Sequence, residues 1–100
     1  MRPRVKLDVV FCPSEVEAIE LRGKVAVVVD VLRATSTIVT AVANGARCVI
    51  PFLSPEEALK AKRSDPRGIL VCGEREGKAV EGFDLGNSPL EYRPEKVRGK

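Results

Sequence analysis

Five apolar residues stand in an unbroken row, Val25-Ala26-Val27-Val28-Val29, four of them β-branched, and Asp30 closes the row. No polar residue interrupts it, so neither face is marked for solvent. Such a run belongs to a strand covered on both faces, as in the middle of a parallel sheet. It is also far too short to cross a bilayer. The remaining segments are read around this strand.

Val5–Phe11 alternates apolar and polar at its start and predicts a strand, which Pro13-Ser14 ends. Ser14-Glu15-Val16-Glu17 has the form of a capping box and predicts a short helix to about Leu21, ended by Gly23. After Asp30, the residues Thr35-Ser36-Thr37 offer N-caps for a helix to Ala43, with Asn44-Gly45 as its C-terminal stop. That helix is apolar nearly all round, so it is expected to be buried. Arg47–Phe52 predicts the next strand. Ser54-Pro55-Glu56-Glu57 then supplies a complete helix start: an N-cap serine, proline at the first position and glutamate at the third. This helix runs to about Arg63 and stops before Asp65-Pro66. Ile69–Cys72 predicts a short buried strand. The alternation β-α-β-α-β-α-β predicts an α/β fold: three layers, α/β/α, around a mostly parallel sheet.

Past Cys72 the chain turns glycine-rich, with Gly73, Gly77, Gly82 and Gly86 interspersed with Asp84, Asn87 and Ser88. A long loop of this kind in a small domain is usually functional. Ser88-Pro89-Leu90-Glu91 repeats the capping-box form and predicts one helical turn.

Composition narrows the chemistry. The 100 residues include no histidine and no tryptophan. A Ser-His-Asp triad, a phosphohistidine mechanism, an HExxH metalloprotease and a Cys₂His₂ zinc finger are excluded from this chain. Acid–base work falls to Asp, Glu, Lys, Cys or Tyr, or to metal-bound water. The net charge of +3 forms no basic block, and aromatics make up 4%, so a nucleic-acid platform is not expected. Cys12, Cys48 and Cys72 are odd in number and widely spaced, which argues against a disulfide framework or a CxxC site. The charged N-terminus lacks the apolar run of a signal peptide, and no segment has the length of a membrane span. A cytoplasmic protein with no membrane partner is the expectation.

Three segments carry candidate chemistry. The first runs from Asp30 to Thr37. In open α/β sheets ligands bind beyond the carboxyl ends of strands, where Asp30 stands. A helix N-terminus favours anions; Ser36 and Thr37 add hydroxyls, and Arg33 can grip an oxyanion with two N–H groups. The second is Cys72-Gly73-Glu74-Arg75-Glu76-Gly77, in which Glu74 can serve as acid–base group or metal ligand and Arg75 can clamp an anion. The third is Gly82-Phe83-Asp84-Leu85-Gly86-Asn87-Ser88. Its Asp84 and Asn87 offer the hard oxygens that Mg²⁺ prefers, and Ser88 adds a hydroxyl. Simple caps and solvated turns account for the same residues without any ligand. Taken together, though, these carboxylates and arginines at one sheet edge suit a hard metal and a small anionic phosphoester. The haloacid dehalogenase pattern does not fit: it needs a second Asp two residues after Asp30, where Leu32 stands.

On Val28-Val29-Asp30-Val31-Leu32-Arg33-Ala34-Thr35-Ser36-Thr37, Gly73-Glu74-Arg75 and Gly82-Phe83-Asp84-Leu85-Gly86-Asn87-Ser88-Pro89, the chain resembles the 2-phosphosulfolactate phosphatase family of coenzyme M biosynthesis. The resemblance runs from about Val5 to the end. It implies an α/β/α fold, a Mg²⁺-dependent phosphatase, and hydrolysis of 2-phospho-3-sulfolactate to 3-sulfolactate and phosphate. It also implies that residues 1–100 are the N-terminal part of such a domain, since family members are more than twice as long and continue into another strand. The terminal Arg98-Gly99-Lys100 repeats the Arg22-Gly23-Lys24 that precedes the valine run, which fits a chain stopping where a strand would start. A sheet cut there exposes an edge that a second copy, as in a homodimer, or further chain would cover.

From their chemistry, Asp30 is the expected nucleophile or metal ligand, Glu74 the acid–base group and Asp84 a metal ligand. Arg33, Ser36, Thr37, Arg75, Asn87 and Ser88 are the expected anion contacts. Two other classes compete. One is an anion-binding α/β module without catalysis. The other is an isochorismatase-like cysteine hydrolase, which would need a Lys and a Cys near Asp30; Cys72 is the one poised thiol.

Overall fold

Local signals decide where helices form. A computed structural model describes every residue from Met1 to Lys100. Helix α1 spans Ala34–Ala43, α2 spans Pro55–Ser64 and α3 spans Pro94–Val97. The start of α2 is as the sequence predicts: the Ser54 hydroxyl accepts the Glu57 N–H at 3.3 Å, and Pro55 takes the first helical position. Such an N-cap contributes about 1 kcal/mol. Glu56 and Glu57 in its first turn and Lys62 and Arg63 in its last complement the helix dipole. Helix α1 ends at Asn44, and Gly45 turns the chain at φ +99°. The predicted turn after Ser88 is a 3₁₀ turn, Pro89–Glu91. The predicted N-terminal helix is instead two 3₁₀ turns, Pro13–Glu15 and Ala18–Leu21. The first is held by the Phe11 and Cys12 N–H groups, which donate to the Glu15 carboxylate at 2.9 and 3.0 Å.

The three-layer α/β/α architecture with a mostly parallel sheet does not form. The one sheet is a two-stranded antiparallel hairpin, β1 (Glu74–Arg75) with β2 (Lys78–Ala79). Its turn is Glu76-Gly77, both at positive φ, the geometry of the tight hairpin turns that follow strand twist. Val5–Phe11, Val25–Val29 and Arg47–Phe52 join no ladder. Ile69–Cys72 forms no strand of the expected sheet either; a single isolated parallel bridge joins Cys72 to Leu85, a residue expected in the loop. The physical reason lies in what a strand requires. An unbroken apolar run is stable as a strand only where neighbours satisfy its N–H and C=O groups and cover both faces. Val25–Val29 makes no backbone hydrogen bond within the chain, and Val25 is 92% and Val28 81% exposed. The expected burial of α1 fails for the same reason: Thr37 and Ala41 are buried, while Ile38, Val39 and Val42 face outward.

The accessible surface of 8814 Å² far exceeds the roughly 5,600 Å² of a compact monomer of this mass. What core exists lies where α1 meets the C-terminal half: Ala41 of α1 packs with Leu85, Tyr92 and Val97, flanked by Ala46, Leu70 and Cys72. Backbone bonds tie this half together. Gly73 N–H donates to Leu85 C=O at 3.1 Å and Asp84 N–H to Val71 C=O at 2.7 Å. Gly99 N–H donates to Gly45 C=O at 2.8 Å, and Arg47 N–H to Lys100 C=O at 2.7 Å.

Asp84 fastens α2 to this framework. Its carboxylate accepts from the Val71 N–H at 2.8 Å and pairs with the Lys62 ammonium. Partial burial pushes the Asp84 carboxyl upward, but the hydrogen bond and charge of Lys62 and the Val71 N–H outweigh it and hold it below the ordinary carboxylate range.

Two outcomes follow. By amide hydrogen exchange, Val25–Val29 should exchange at the rate of an unstructured peptide, while Ala46, Asp84 and Tyr92 are protected. Protection across Val25–Val29 would contradict the open arrangement. For Asp84, a carboxyl lowered by folding stabilises fully above the ordinary carboxylate pKa. That stabilisation is lost as pH falls through the lowered value. Thermal melts of the parent should therefore weaken on the acid side, and Asp84→Asn should flatten that acid limb.

Candidate functional site

The three chemistry-bearing segments meet through backbone and hydroxyl contacts. The segment Gly73–Arg75 lies beside Asp84 and Leu85 through the Gly73–Leu85 hydrogen bond and the Cys72–Leu85 bridge. The segment Asp30–Thr37 joins Asn87 through Thr37. This threonine is 4% exposed, and its hydroxyl is shared between the Arg33 carbonyl at 3.0 Å and the Asn87 carbonyl at 2.8 Å. A threonine hydroxyl inside a helix commonly returns to the carbonyl four residues back. Here it also reaches a residue 50 positions along the chain.

At the start of α1 the polar groups are turned on the backbone. Asp30 N–H donates to the Thr35 hydroxyl at 2.8 Å, and Thr35 N–H returns a bond to the Asp30 carbonyl at 2.9 Å. The Ser36 hydroxyl donates to the Val31 carbonyl at 2.5 Å. The helix N-cap is Arg33, whose side chain makes no capping bond. Thus Thr35, Ser36 and Thr37 lie inside the first turn and hold the Asp30–Arg33 segment against α1. The carboxylate of Asp30 and the guanidinium of Arg33 make no hydrogen bond or ion pair within the chain.

Glu74 accepts the Gly77 N–H and closes the hairpin turn, leaving Arg75 unpaired on β1. The side chains of Asn87 and Ser88 likewise make no hydrogen bond; both residues are held by their backbone. A cavity of about 620 Å³ opens between α1, residues 46–55, α2 and residues 68–75. Thr37, Glu74, Arg75 and Asn87 line it, over an apolar wall that includes Ile38, Val49, Ile69 and Val71. Asp30, Arg33, Ser36, Asp84 and Ser88 lie outside its lining.

The donor set does not make a magnesium cage. No three Asp, Glu, Cys or His side chains converge anywhere in the chain, and one of the two Asp84 oxygens is engaged by Lys62 and Val71. Cys72 is no activated nucleophile. Its burial, partly offset by the nearby Tyr92 hydroxyl and reinforced by the Asp84 charge, raises the thiol pKa, whereas a reactive cysteine needs it lowered. The Tyr92 hydroxyl is also raised, first by burial, then by the neighbouring Cys72 and Glu91.

Several residues that build this region are not evident from sequence patterning. Glu91 reads there only as the third position of a capping box, yet its carboxylate also accepts the Gly86 N–H at 3.2 Å. Tyr92 is the sole tyrosine, and a buried phenol requires a polar partner, which is the signal that marks it. Its hydroxyl donates to the Gly86 carbonyl at 2.5 Å. Asn44, read as a helix stop, donates its amide to the Tyr92 carbonyl at 2.7 Å.

Comparison with known proteins bears on the same segments. The family model described as 2-phosphosulpholactate phosphatase matches residues 10–100. A Thermotoga petrophila protein named probable 2-phosphosulfolactate phosphatase is 58% identical over 95 residues, which cover 94% of this chain and 38% of that protein. A protein of the same name from Clostridium perfringens strain SM101 is 50% identical over 99 residues, covering 96% and 40%. Another from Symbiobacterium thermophilum is 56% identical over 82 residues, covering 81% and 35%. The chain spans about two fifths of the length of these curated relatives. With the match running through all three motif segments, the chain belongs to the 2-phosphosulpholactate phosphatase family.

Proposed function

We propose that the chain carries the anion-binding part of a phosphatase that hydrolyses 2-phospho-3-sulfolactate to 3-sulfolactate and phosphate. One observation carries the reading furthest. Thr37, Glu74, Arg75 and Asn87, from all three motif segments, line one cavity. The name borne by the relatives supplies the substrate.

A substrate with phosphate, sulfonate and carboxylate groups needs several donors, and the unpaired guanidinium of Arg75 can give two N–H groups to one oxyanion. The Asn87 carboxamide and Ser88 hydroxyl add neutral donors. Thr37 fixes where Asn87 stands, and Ser36 fixes the Asp30–Arg33 turn, so these two act on the anion contacts through the backbone. Arg33, half-buried at the same turn and unpaired, adds a second cation. In the hydrolysis a water oxygen bonds to phosphorus, the ester P–O bond breaks, and a proton reaches the departing alkoxide oxygen. Glu74 is the carboxyl assigned to hold that proton. Asp30, with its carboxylate unengaged, is assigned either as a metal ligand for this direct route or as the nucleophile of a two-step route, in which its oxygen displaces the alkoxide from phosphorus and water then splits the aspartyl phosphate to free the carboxylate and phosphate. Magnesium, when bound, would neutralise phosphate charge. The family resemblance calls for that ion, but the carboxylates as placed do not gather around one point, so no step is derived through it.

A second reading, an anion-binding module without catalysis, is favoured by one observation: Asp84 is tied to Lys62 and the other carboxylates stand apart. Phosphate release from 2-phospho-3-sulfolactate, measured with and without magnesium, separates the two. Release that falls about 100-fold or more in Asp30→Asn is the expected result, and the magnesium arm reads whether that release needs the ion. Arg75→Ala should raise KM with little effect on kcat, since a contact to a non-reacting anion binds ground and transition states alike. Phosphate bound without release would favour the module instead.

A further inference from the structure

We propose that Glu91 and Tyr92 are positioning residues, which fix the main chain on both sides of Asn87 so that its carboxamide is free to meet an oxyanion in the cavity. The inference rests on the reading above, in which Asn87 contacts the phosphoester.

The Glu91 carboxylate reaches back over the loop. One oxygen accepts the Gly86 N–H at 3.2 Å and the other the Ser88 N–H at 3.4 Å, so the two N–H groups flanking Asn87 end on one side chain. The Asn87 carbonyl is taken by Thr37. The Gly86 carbonyl accepts the Tyr92 hydroxyl. Every main-chain polar group immediately around Asn87 that these residues can reach is therefore fixed, while its side chain makes no hydrogen bond and lines the cavity.

The clamp is itself anchored. Tyr92 is buried against Ala41, Leu85 and Val97, and Asn44 at the end of α1 holds its carbonyl. The loop is shaped to admit it: a Cβ at position 86 would stand 2.7 Å from a Glu91 oxygen, closer than side-chain carbons approach oxygen. Glycine at 86 lets the carboxylate sit across the loop. A capping box alone needs only the Ser88 contact; the Gly86 contact and the Tyr92 hydroxyl extend it to the residue before Asn87.

Calorimetric titration of the chain with inorganic phosphate tests this, because charge and position predict opposite signs. Glu91→Gln removes a negative charge from the neighbourhood of an anion, so electrostatics alone predicts tighter binding. Positioning predicts binding weaker by about tenfold, the size of one lost charge-assisted hydrogen bond. Tyr92→Phe should weaken it in the same direction. The decisive comparison is the double variant Glu91→Gln with Asn87→Ala. If Glu91 acts through Asn87, the double variant binds no worse than Asn87→Ala alone. Unchanged or tighter binding in Glu91→Gln, or losses that add, would overturn the inference while leaving the proposed function standing. A parent chain that binds no phosphate would overturn both. Should Glu91→Gln lose the helical circular dichroism of the parent, the cycle of Tyr92→Phe with Asn87→Ala decides on the same criteria.

Discussion

The Thr37 hydroxyl is the contact on which the arrangement of the motif segments turns. It is buried at 4% exposure, and it shares its proton between Arg33 in its own helix turn and Asn87 far along the chain. Without it, α1 and the Gly82–Ser88 loop would be joined only through Asn44 and the small apolar cluster around Tyr92. A buried hydroxyl left without a partner costs about 1–3 kcal/mol, so this bond strongly prefers to be made. It also decides what Thr37 does. A hydroxyl committed to two carbonyls positions the site and is not spare for a ligand.

From this contact the site is a set of backbones held in place with their functional side chains left unpaired. Asp30 and Arg33 are fixed by Thr35 and Ser36, Arg75 by its hairpin, and Asn87 by Thr37 and Glu91. Unpaired polar side chains on fixed backbones suit binding, because little ordering remains to oppose the ligand. Two carboxylates are exceptions: Glu74 closes the hairpin on the Gly77 N–H, and one Asp84 oxygen is engaged by Lys62 and Val71, which locks α2 beside the loop.

How much of this was legible follows from how far each signal reaches. Ser54-Pro55-Glu56-Glu57 specifies a helix start within four residues, and the helix is there. Asn44-Gly45 and Ser88-Pro89 act over similarly short range and also hold. The valine run is different. Its composition states that it wants cover on both faces, but not what provides it, and in this chain nothing does. Parallel pairing joins residues distant in sequence, so the alternation of segments could not by itself secure the sheet. The hairpin at Glu76-Gly77 was missed because Glu-Gly lacks the Asn-Gly or Asp-Gly signature of such turns. The three motif segments were recognisable from residue type. Their meeting through Thr37 and Leu85 was not, since a threonine in a helix reads as a cap or a surface residue.

The central claim is that three segments, distant in sequence, form one anion site. It is tested most directly by following backbone amide resonances during a titration with inorganic phosphate. The account predicts that Arg33–Thr37, Gly73–Arg75 and Gly86–Ser88 shift together along one saturation curve. Shifts confined to a single segment, or segments saturating at different phosphate concentrations, would contradict it.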